Sequence, residues 1–465
     1  MKEELKNMSE ESLKNLEEIV ESELLTVEDI RERLEFTEKG KTRQTIQNCK
    51  YVLENDPCLK GVICRNEMTC QIDIRKEVPW KRRGLHMTDT DMNNLSLYLE
   101  QNYGLTSDRV ITKAVDIVAN ENSFHPIIEY LETLVWDGEP RVKKMLSHFF
   151  GVEDEAYAGE LMQMHMMAAI KRLYEPGTKY DIMLCLVGGQ VTGKSTFFRF
   201  LAIEDDYFTD DMKRIDDKKA YEYLQGHWIV EMSEMNAVAN AKSIEETKAF
   251  LSRQKDTYRI PYERRAEDRY RQCVFCGTSN DFAFLPFDRT GNRRFGPVKV
   301  RPEKAEVKVY ADEEEARNYI IQAWAESMEI YKSGEYRLTF SPAMEDYVKT
   351  LQKEFMPEDT QTGLIQAFLD RYEGDYVCTT IIYQEVFHQD GIVPKWQSKE
   401  IGDLLDNEIV GWTKHGNHRF RGALGTQRAW KRNNPKHVAL EYKEHNADEA
   451  ECSEKIDEQM EIPFD

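Results

Sequence analysis

Apolar residues fall into two kinds of run along the chain. Short unbroken runs, in YDIMLCLV (180–187), HWIVEMSEM (227–235) and RQCVFCGTSND (271–281), indicate buried strands of a parallel sheet. Segments with apolar residues three or four apart, such as MNNLSLYLE (92–100) and NYIIQAWAESMEIYKSG (318–334), indicate helices. Strands that alternate with helices predict an α/β fold for the middle of the chain.

The loop after the first of these strands carries GGQVTGKST, which satisfies the pattern G-x-x-x-x-G-K-[ST] and is followed by the helical FFRFLA. In such a loop successive backbone N–H groups point into one concavity, and the helix N-terminus adds positive potential for phosphate. We therefore expect ATP and Mg²⁺ as ligands, with Lys194 on the phosphates and Ser195 on the metal. The nucleotide-binding residues expected are Gly188, Gly189, Gln190, Val191, Thr192, Gly193, Lys194, Ser195 and Thr196.

Two glutamates follow the second strand, where a P-loop hydrolase needs an acid for the metal and a group that orients the attacking water. Glu231 ends the strand, at the position expected of the metal-holding acid, and Glu234 comes three residues later as the candidate base. The spacing alone leaves open which of the two orients water.

The third strand ends in Thr278-Ser279-Asn280. An asparagine at a strand tip beside the P-loop can hydrogen-bond the γ-phosphate and the attacking water. Further on, DRTGNRRFGPV (288–298) places Arg293 and Arg294 on a glycine-containing turn. Arginine stabilises the charge on a transferring phosphoryl group and can be supplied by a neighbouring subunit. The alternative for this pair is a basic turn that satisfies local carbonyl groups.

A basic segment (248–271) lies between the second and third strands and carries eight Lys and Arg against four Asp and Glu. Tyr258, Tyr262 and Tyr270 are interleaved, and the alternation around Pro261 predicts a hairpin. Basic and aromatic residues together are typical of loops that follow a nucleic-acid backbone, so single-stranded or forked DNA is the expected partner. A salt-bridged, solvated face is the alternative. The candidate DNA-binding residues are Lys248, Lys255, Arg259, Arg264 and Arg265.

These motifs, in this order, resemble the virulence-associated E (VapE) family of phages and phage-inducible islands. The resemblance covers about residues 40–300 and rests on DGEPRV, KYDIMLCLVGGQVTGKST, LQGHWIVEMSEM, KAFLSRQKDTYRIPYERR, CVFCGTSND and TGNRRFGPV. That family is similar to superfamily 3 helicases, which are ring-forming AAA+-like ATPases. The resemblance implies phosphate-binding Lys194, acidic Glu231 and Glu234, sensor Asn280, and an arginine finger within Arg293–Arg294.

Two positions depart from the family's loop, since Gly189 stands where relatives often have proline and Val191 where glycine is common. Neither change removes a catalytic group. Many relatives also carry an N-terminal primase–polymerase domain. The region before the P-loop here is too short for that domain as well as an accessory segment, and we expect no primase activity.

The C-terminal part is predicted to form three helices and a basic hairpin, which resembles a winged helix. A helical lid or an oligomerisation module is the alternative. The expected fold class is therefore α/β, with a P-loop AAA+-like (superfamily 3 helicase-type) ATPase core, a mixed N-terminal accessory region and a C-terminal helical, winged-helix-like domain. The expected parts are an acidic helical leader (1–24), an accessory domain (25–150), the ATPase domain (151–335), the winged-helix-like domain (336–439) and an acidic tail (440–465).

The formal net charge of −22 argues at first against nucleic-acid binding. Its distribution changes that inference, because residues 1–24 carry −5 and residues 440–465 carry −8. More than half of the charge therefore belongs to the ends. The chain has no run of 18 apolar residues and its N-terminus has no apolar signal core, so we expect no membrane span and a cytoplasmic location.

Three other groups have structural explanations. Cys273 and Cys276 form a CxxC, but residues three apart on a strand face opposite sides, which favours structural thiols over a metal site. Asp89 and Asp91 precede a helical segment, and His125 precedes a proline, so we expect a helix cap and a structural turn.

The sequence thus predicts an ATP-dependent DNA helicase or translocase that acts as a homo-oligomeric ring, a hexamer by resemblance. Its expected role is replication of a phage or mobile element, with replication proteins as further partners. An ATP-switched replication initiator or phage-interference factor without processive unwinding is the alternative. DNA-stimulated hydrolysis without strand displacement would favour that alternative.

Overall fold

The computed structural model describes residues 25–212, 215, 221–235, 244–258, 266–285, 292–356 and 360–433. The expected acidic leader and acidic tail lie outside these residues. The chain divides into two units, Met1–Met356 and Pro357–Asp465. This division falls after the boundary expected at residue 335. No helix in the described residues is long and apolar enough to span a membrane.

The N-terminal part of the first unit has an apolar core of its own, built from residues 30–119. Its elements are α1 (Val27–Glu32), α2 (Ile46–Asn55), β1 (Ile63–Arg65), β2 (Ile72–Ile74), α3 (Asp89–Tyr103) and α4 (Asp108–Glu121). Helix α3 begins at a capping box, in which Thr88 accepts from the N–H of Asp91 and the Asp91 carboxylate accepts from the N–H of Thr88. The helix cap expected at Asp89 and Asp91 is thereby confirmed, with Asp91 as the capping residue.

The next helices are α5 (Pro126–Thr133), α6 (Met145–Phe150) and α7 (Glu155–Tyr174). His125 caps α5 by accepting the N–H of Ile128, as expected of a structural turn. Ile127, Leu131 and the apolar face of α6 are buried in the core beneath the central sheet. These two helices, which the sequence placed in the accessory region, therefore help to support the sheet.

The central sheet has five parallel strands, and the sequence prediction of an α/β core is confirmed. In chain order they are β3 (Met183–Val187), β4 (Phe208–Thr209), β5 (Ile229–Met232), β8 (Val274–Ser279) and β9 (Phe295–Lys299), with the spatial order β4-β5-β8-β3-β9. Strand β8 therefore lies between β3 and β5, where Leu184 pairs with Cys276 and Ile229 with Val274. The carboxyl ends of these three strands form one edge, which carries the polar residues expected from the sequence.

Helices cover both faces of the sheet. Helices α7, α8 (Lys194–Leu201) and α10 (Glu313–Ser333) bury apolar side chains on one face, and α9 (Ile244–Ser252) does so on the other. Cys276 belongs to the first core and Cys273 to the second. The two thiols therefore face opposite sides of the sheet, as the strand periodicity predicts.

The expected hairpin is also confirmed in its two strands, since β6 (Lys255–Tyr258) pairs antiparallel with β7 (Glu267–Tyr270). Pro261 lies outside the described residues. Helix α11 (Pro342–Glu354) packs beside β9 and completes the first unit.

The second unit begins with a helix and ends with a β-ribbon. Its elements are α12 (Thr360–Arg371), β10 (Tyr376–Val377), α13 (Thr379–Glu385), α14 (Lys395–Asn407), β11 (Trp412–Arg419) and β12 (Thr426–Arg432). Strand β12 lies between β10 and β11, and Trp430 at its centre is buried against the helices. Two basic residues of this β-ribbon, Lys414 and Arg428, both contact Asp406.

A buried arginine ties α7 to the amino ends of two strands. The Arg172 guanidinium donates to the carbonyls of Thr178 at 2.9 Å, Cys273 at 2.6 Å and Tyr180 at 2.6 Å. Only 1% of Arg172 is exposed, and burial lowers its pKa to about 10. The side chain satisfies three carbonyls that no strand ladder reaches.

We predict that Arg172→Met destabilises the protein by roughly 2–5 kcal/mol, because three buried carbonyls lose their donor. Lys171→Met is the matched control, since the neighbouring Lys171 makes only peripheral contacts, with Glu175 at 3.6 Å and with the Tyr336 ring at 5.8 Å. Thermal melting of both variants measures the difference. Equal melting temperatures would show that Arg172 does not support the sheet.

Candidate nucleotide-binding site

The P-loop joins β3 to α8, and Lys194 is the first residue of that helix. Gly193 has φ +83°, and a Cβ at this position would lie 2.3 Å from Val309 Cγ1. Glycine is therefore required here for both backbone conformation and space. Gly188 is also confined, since a Cβ there would lie 3.0 Å from Val300 Cβ, whereas Gly189 has open space around it. The Gly189 departure from the family pattern therefore meets no steric conflict.

Lys194 is 7% exposed, and its ammonium lies within the loop. It donates to the carbonyls of Gly188 and Gly189, both at 2.7 Å, and to Asn280 Oδ1 at 3.1 Å. Burial lowers the pKa of Lys194, while the charge of Glu231 acts in the opposite direction. The structure thus brings the expected phosphate-binding lysine and the expected sensor asparagine together.

Glu231 is fully buried at the end of β5. Its Oε1 accepts from Ser195 Oγ at 2.8 Å and from Thr278 Oγ1 at 2.7 Å. Its Oε2 is buried and has no hydrogen-bond partner among the described residues. Burial raises the pKa of Glu231, and the hydroxyl donors only partly offset that effect. A carboxylate with one unsatisfied oxygen, next to the P-loop serine, fits a metal site.

Glu234 lies on a strained turn beyond β5. Its backbone is left-handed, at φ 51° and ψ 21°, and the next residue, Met235, has φ 53°. The N–H of Glu234 donates to Thr278 Oγ1 at 3.3 Å, so Thr278 links the backbone of Glu234 to the carboxylate of Glu231. The Glu234 side chain itself is exposed. Left-handed non-glycine residues are costly and concentrate at functional sites.

These groups surround one open cleft of about 430 Å³. Its lining comes from the P-loop, the β5 turn and the tip of β8, and consists of Gln190, Val191, Thr192, Gly193, Lys194, Ser195, Thr196, Ser233, Glu234, Thr278 and Asn280. The P-loop, Glu234 and Asn280 therefore share a site, with Glu231 directly behind Ser195. Its polar groups are suited to holding a phosphate chain and a hard cation.

The two arginines are not part of this cleft. Arg294 lies at the amino end of the sheet, where its carbonyl accepts the N–H of Met183 at the start of β3. The P-loop begins at the other end of that five-residue strand, which corresponds to about 17 Å at 3.3 Å per residue. Arg293 and Arg294 therefore cannot reach the phosphate site of their own chain.

The candidate DNA-binding residues divide into two sets. Lys255 is ion-paired with Asp268 across the hairpin at 2.5 Å, and Lys248 is half-buried on α9. Arg259, Arg264 and Arg265 lie outside the described residues. The two described strands, β6 and β7, hold two basic and three acidic residues. The positive charge of this segment is thus absent from the strands themselves.

Sequence reasoning missed two residues. The sequence predicts Thr278 only as a polar strand end, although it holds Glu231 and the Glu234 turn together. It predicts Asp181 only as part of a strand, although Asp181 contacts both Arg293 and Arg294. The signal for Thr278 was its place two residues before Asn280 on the strand next to the P-loop. No local pattern pointed to Asp181.

The first unit therefore has an α/β core that is compatible with a P-loop protein. The polar cleft lies at the carboxyl ends of the strands of its sheet. Residues 131–357 match the virulence-associated protein E-like domain. The family resemblance seen in the sequence is confirmed.

No curated protein matches the chain. Among solved structures, "The A form apo structure of NrS-1 C terminal region-CTR" is 14% identical, with a TM-score of 0.45 over 80% of this chain and 96% of that chain. A second structure, of "NrS-1 C terminal region-CTR(305-718)", is 14% identical, with a TM-score of 0.38 over 76% of this chain and 84% of that one. At this sequence identity and TM-score the likeness carries no functional argument.

We predict that Val191→Gly stabilises the loop. Val191 has φ 59° and is 86% exposed, so a β-branched side chain occupies a left-handed position and makes little buried contact. Relief of about 1–2 kcal/mol of strain exceeds the entropic cost of glycine, which leaves a net gain of up to about 1 kcal/mol. The melting temperature measures the gain in stability, and ATP affinity measures its effect on the loop. Val191→Ala, which keeps a Cβ, is the control, and an equal gain from alanine would contradict the strain.

We also predict opposite effects of Glu231→Gln on stability and on hydrolysis. Because burial raises the folded-state pKa of Glu231, the contribution of this group to stability is fully present below the unfolded pKa and is lost as pH rises through the folded pKa. Glutamine cannot ionise, so the variant does not lose this stability as pH rises. It should therefore melt at a higher temperature than wild type above neutral pH. Mg²⁺-dependent ATP hydrolysis should fall about 10²-fold or more.

Glu234→Gln serves as the control, because that side chain is exposed and its replacement should leave the melting temperature unchanged. A lower melting temperature for Glu231→Gln than for wild type at pH 8 would mean that the carboxylate stabilises the fold.

Proposed function

We propose that this protein is an ATP-dependent DNA helicase or translocase that works as a homo-oligomeric ring in the replication of a phage or mobile element. One observation carries the proposal: Ser195 Oγ donates to the buried Glu231 at 2.8 Å beside Lys194, and the other oxygen of that carboxylate has no partner in the described part of the chain. A structural glycine turn would not need a buried carboxylate at this place. Residues 131–357 match the virulence-associated protein E-like domain, and this match supports the role in phage or mobile-element replication.

In this proposal Ser195 and Glu231 hold Mg²⁺, and the backbone N–H groups of the P-loop hold the phosphates of ATP. Lys194 exchanges its bonds to the Gly188 and Gly189 carbonyls for phosphate oxygens. When bound, Mg²⁺ neutralises the negative charge that develops on the transferring phosphoryl group. Thr278 keeps the Glu231 carboxylate oriented by donating to Oε1.

Glu234 is the group we assign to the attacking water, because its side chain is exposed at the cleft while Glu231 is buried. Its left-handed backbone, whose N–H donates to Thr278, sets where the side chain leaves the turn beyond the strand end. Asn280 is the group we assign to sensing the γ-phosphate, because it is bonded to Lys194. The two glutamates thereby divide metal binding and water orientation between them.

Ring assembly is favoured by the location of the arginines. Since neither can reach the phosphate site of its own chain, an arginine finger from this loop has to act on a neighbouring subunit. Strand β8, inserted between β3 and β5, fits the AAA+-like core that the family resemblance implies. The order helix, strand, helix, helix, strand, strand in the second unit fits a winged helix.

The alternative, an ATP-switched replication initiator or interference factor, has an observation in its favour. The described strands of the hairpin hold more acidic than basic residues, and Lys255 is neutralised by Asp268. A motor that pulls one strand needs a strong grip on phosphates at this hairpin. If that grip is weak, ATP could control binding without processive unwinding.

ATP hydrolysis with and without single-stranded DNA, and displacement of a paired strand, distinguish the two functions. For wild type we predict hydrolysis that DNA stimulates and salt weakens, together with strand displacement. Lys194→Ala should reduce hydrolysis about 10²-fold or more, because the buried ammonium is lost from the phosphate site. Lys39→Ala, which changes an exposed lysine of the accessory region, is the matched control.

Stimulated hydrolysis without strand displacement would favour the switch. Absence of any hydrolysis by the wild type would remove the motor from consideration.

A further inference from the structure

The two adjacent arginines at the amino end of β9 have very different surroundings. The side chain of Arg293 is 67% exposed, whereas that of Arg294 is 17% exposed. The backbone of this pair is fixed, since the N–H of Met183 donates to the Arg294 carbonyl at 2.7 Å and the N–H of Phe295 donates to the Asn292 carbonyl at 2.8 Å. Two adjacent positions thus present one largely exposed arginine and one largely buried arginine.

Arg294 is held by a closed set of three contacts. Its Nε donates to Ser252 Oγ at 2.8 Å and lies 3.3 Å from Asp181 Oδ2. Ser252 Oγ in turn donates to the same Asp181 oxygen at 3.1 Å. Each group thereby fixes the other two, and the Asp181 side chain is only 13% exposed. Such a network orients side chains more firmly than a surface ion pair does.

Arg293 makes a single long contact with this network. Its Nη2 lies 3.5 Å from Asp181 Oδ2, at the limit of a hydrogen bond. A guanidinium that is two-thirds exposed and weakly bonded can leave that contact at little cost, because exposed ion pairs contribute only about 0–1 kcal/mol. Arg293 is therefore the arginine that can reach a neighbouring molecule.

Ser252 connects the turn to the hairpin. It is the last residue of α9, and β6 begins at Lys255 only three residues later. Asp181 precedes β3, the strand that leads into the P-loop. The three-residue network therefore joins the arginine turn, the start of the P-loop strand and the base of the hairpin at one point.

We propose a division of roles between the two arginines. Arg293 acts on the phosphates bound by a neighbouring subunit, while Arg294, Asp181 and Ser252 are positioning residues that fix the Arg293 turn to the base of the hairpin. This inference rests on the proposed ring ATPase and deepens it.

The first test compares Arg293→Ala with Arg294→Ala by melting temperature and by steady-state ATP hydrolysis. Arg293→Ala should lower kcat about 10³-fold with unchanged KM and an unchanged melting temperature. Arg294→Ala should lower the melting temperature as well as kcat. Arg294→Lys, which can keep a donor near Ser252 and Asp181, should recover much of the lost activity. Arg293→Lys should not, because an ammonium lacks the planar fork of a guanidinium.

The second test mixes two inactive variants, Arg293→Ala and Lys194→Ala. At some interfaces the intact P-loop of the first variant then meets the intact Arg293 of the second. Random mixing in equal amounts predicts recovery to about a quarter of the wild-type rate. A mixture as inactive as its components would overturn the assignment of Arg293 to a neighbouring site.

Two further results separate this inference from the proposed function. An active wild type in which both alanine variants lower kcat equally, with no change in melting temperature, overturns the division of roles alone. A wild type without ATP hydrolysis overturns the proposed function and this inference together.

Discussion

The structure of the candidate site depends on the burial of Glu231. A carboxylate removed from water costs several kcal/mol unless its oxygens are bonded or its charge is balanced. Here Ser195 and Thr278 bond one oxygen, while the second is buried without a partner among the described residues. Lys194, which is buried nearby, supplies the opposite charge. A divalent cation bound at the end of β5 could coordinate the Glu231 oxygen that has no partner among the described residues.

The strand order explains why these groups meet. Because β8 is inserted between β3 and β5, its carboxyl end lies between the P-loop and Glu231. Thr278 can therefore hold the carboxylate on one side while Asn280 accepts from Lys194 on the other. The amino edge of the same sheet holds the network of Asp181, Ser252 and Arg294. One sheet thus separates, by the length of a strand, the cleft proposed to bind nucleotide from the arginine proposed to act on a neighbouring subunit.

Much of this site could be predicted from the sequence because its signals are local. The P-loop has a fixed spacing, Glu231 directly ends an apolar strand, and Asn280 ends the next one. Strand alternation likewise predicted that Cys273 and Cys276 face apart. The contacts that could not be predicted join residues far apart in the chain. Arg172 bonds a carbonyl 101 residues away, and the partners Ser252 and Asp181 are 71 residues apart.

Charge was the least predictable feature. The basic segment 248–271 suggests a basic hairpin, but the basic residues of the described strands have acidic partners, Lys255 with Asp268 across the ribbon and Arg269 with Glu267 on the same strand. Composition records how many charges a segment holds, whereas cross-strand register decides which of them face each other. The difference between Arg293 and Arg294 has the same origin, since identical side chains next to each other differ only in their tertiary neighbours.

The most direct test of the site is the binding of Mn²⁺, as a spectroscopic substitute for Mg²⁺, followed by electron paramagnetic resonance with a non-hydrolysable ATP analogue. If Ser195 and Glu231 hold the metal beside the phosphates, one Mn²⁺ per chain should bind tightly only with the nucleotide, and Ser195→Ala should weaken that binding about tenfold or more. Mn²⁺ binding that is unchanged in both Ser195→Ala and Glu231→Gln would show that this buried carboxylate is not the metal site.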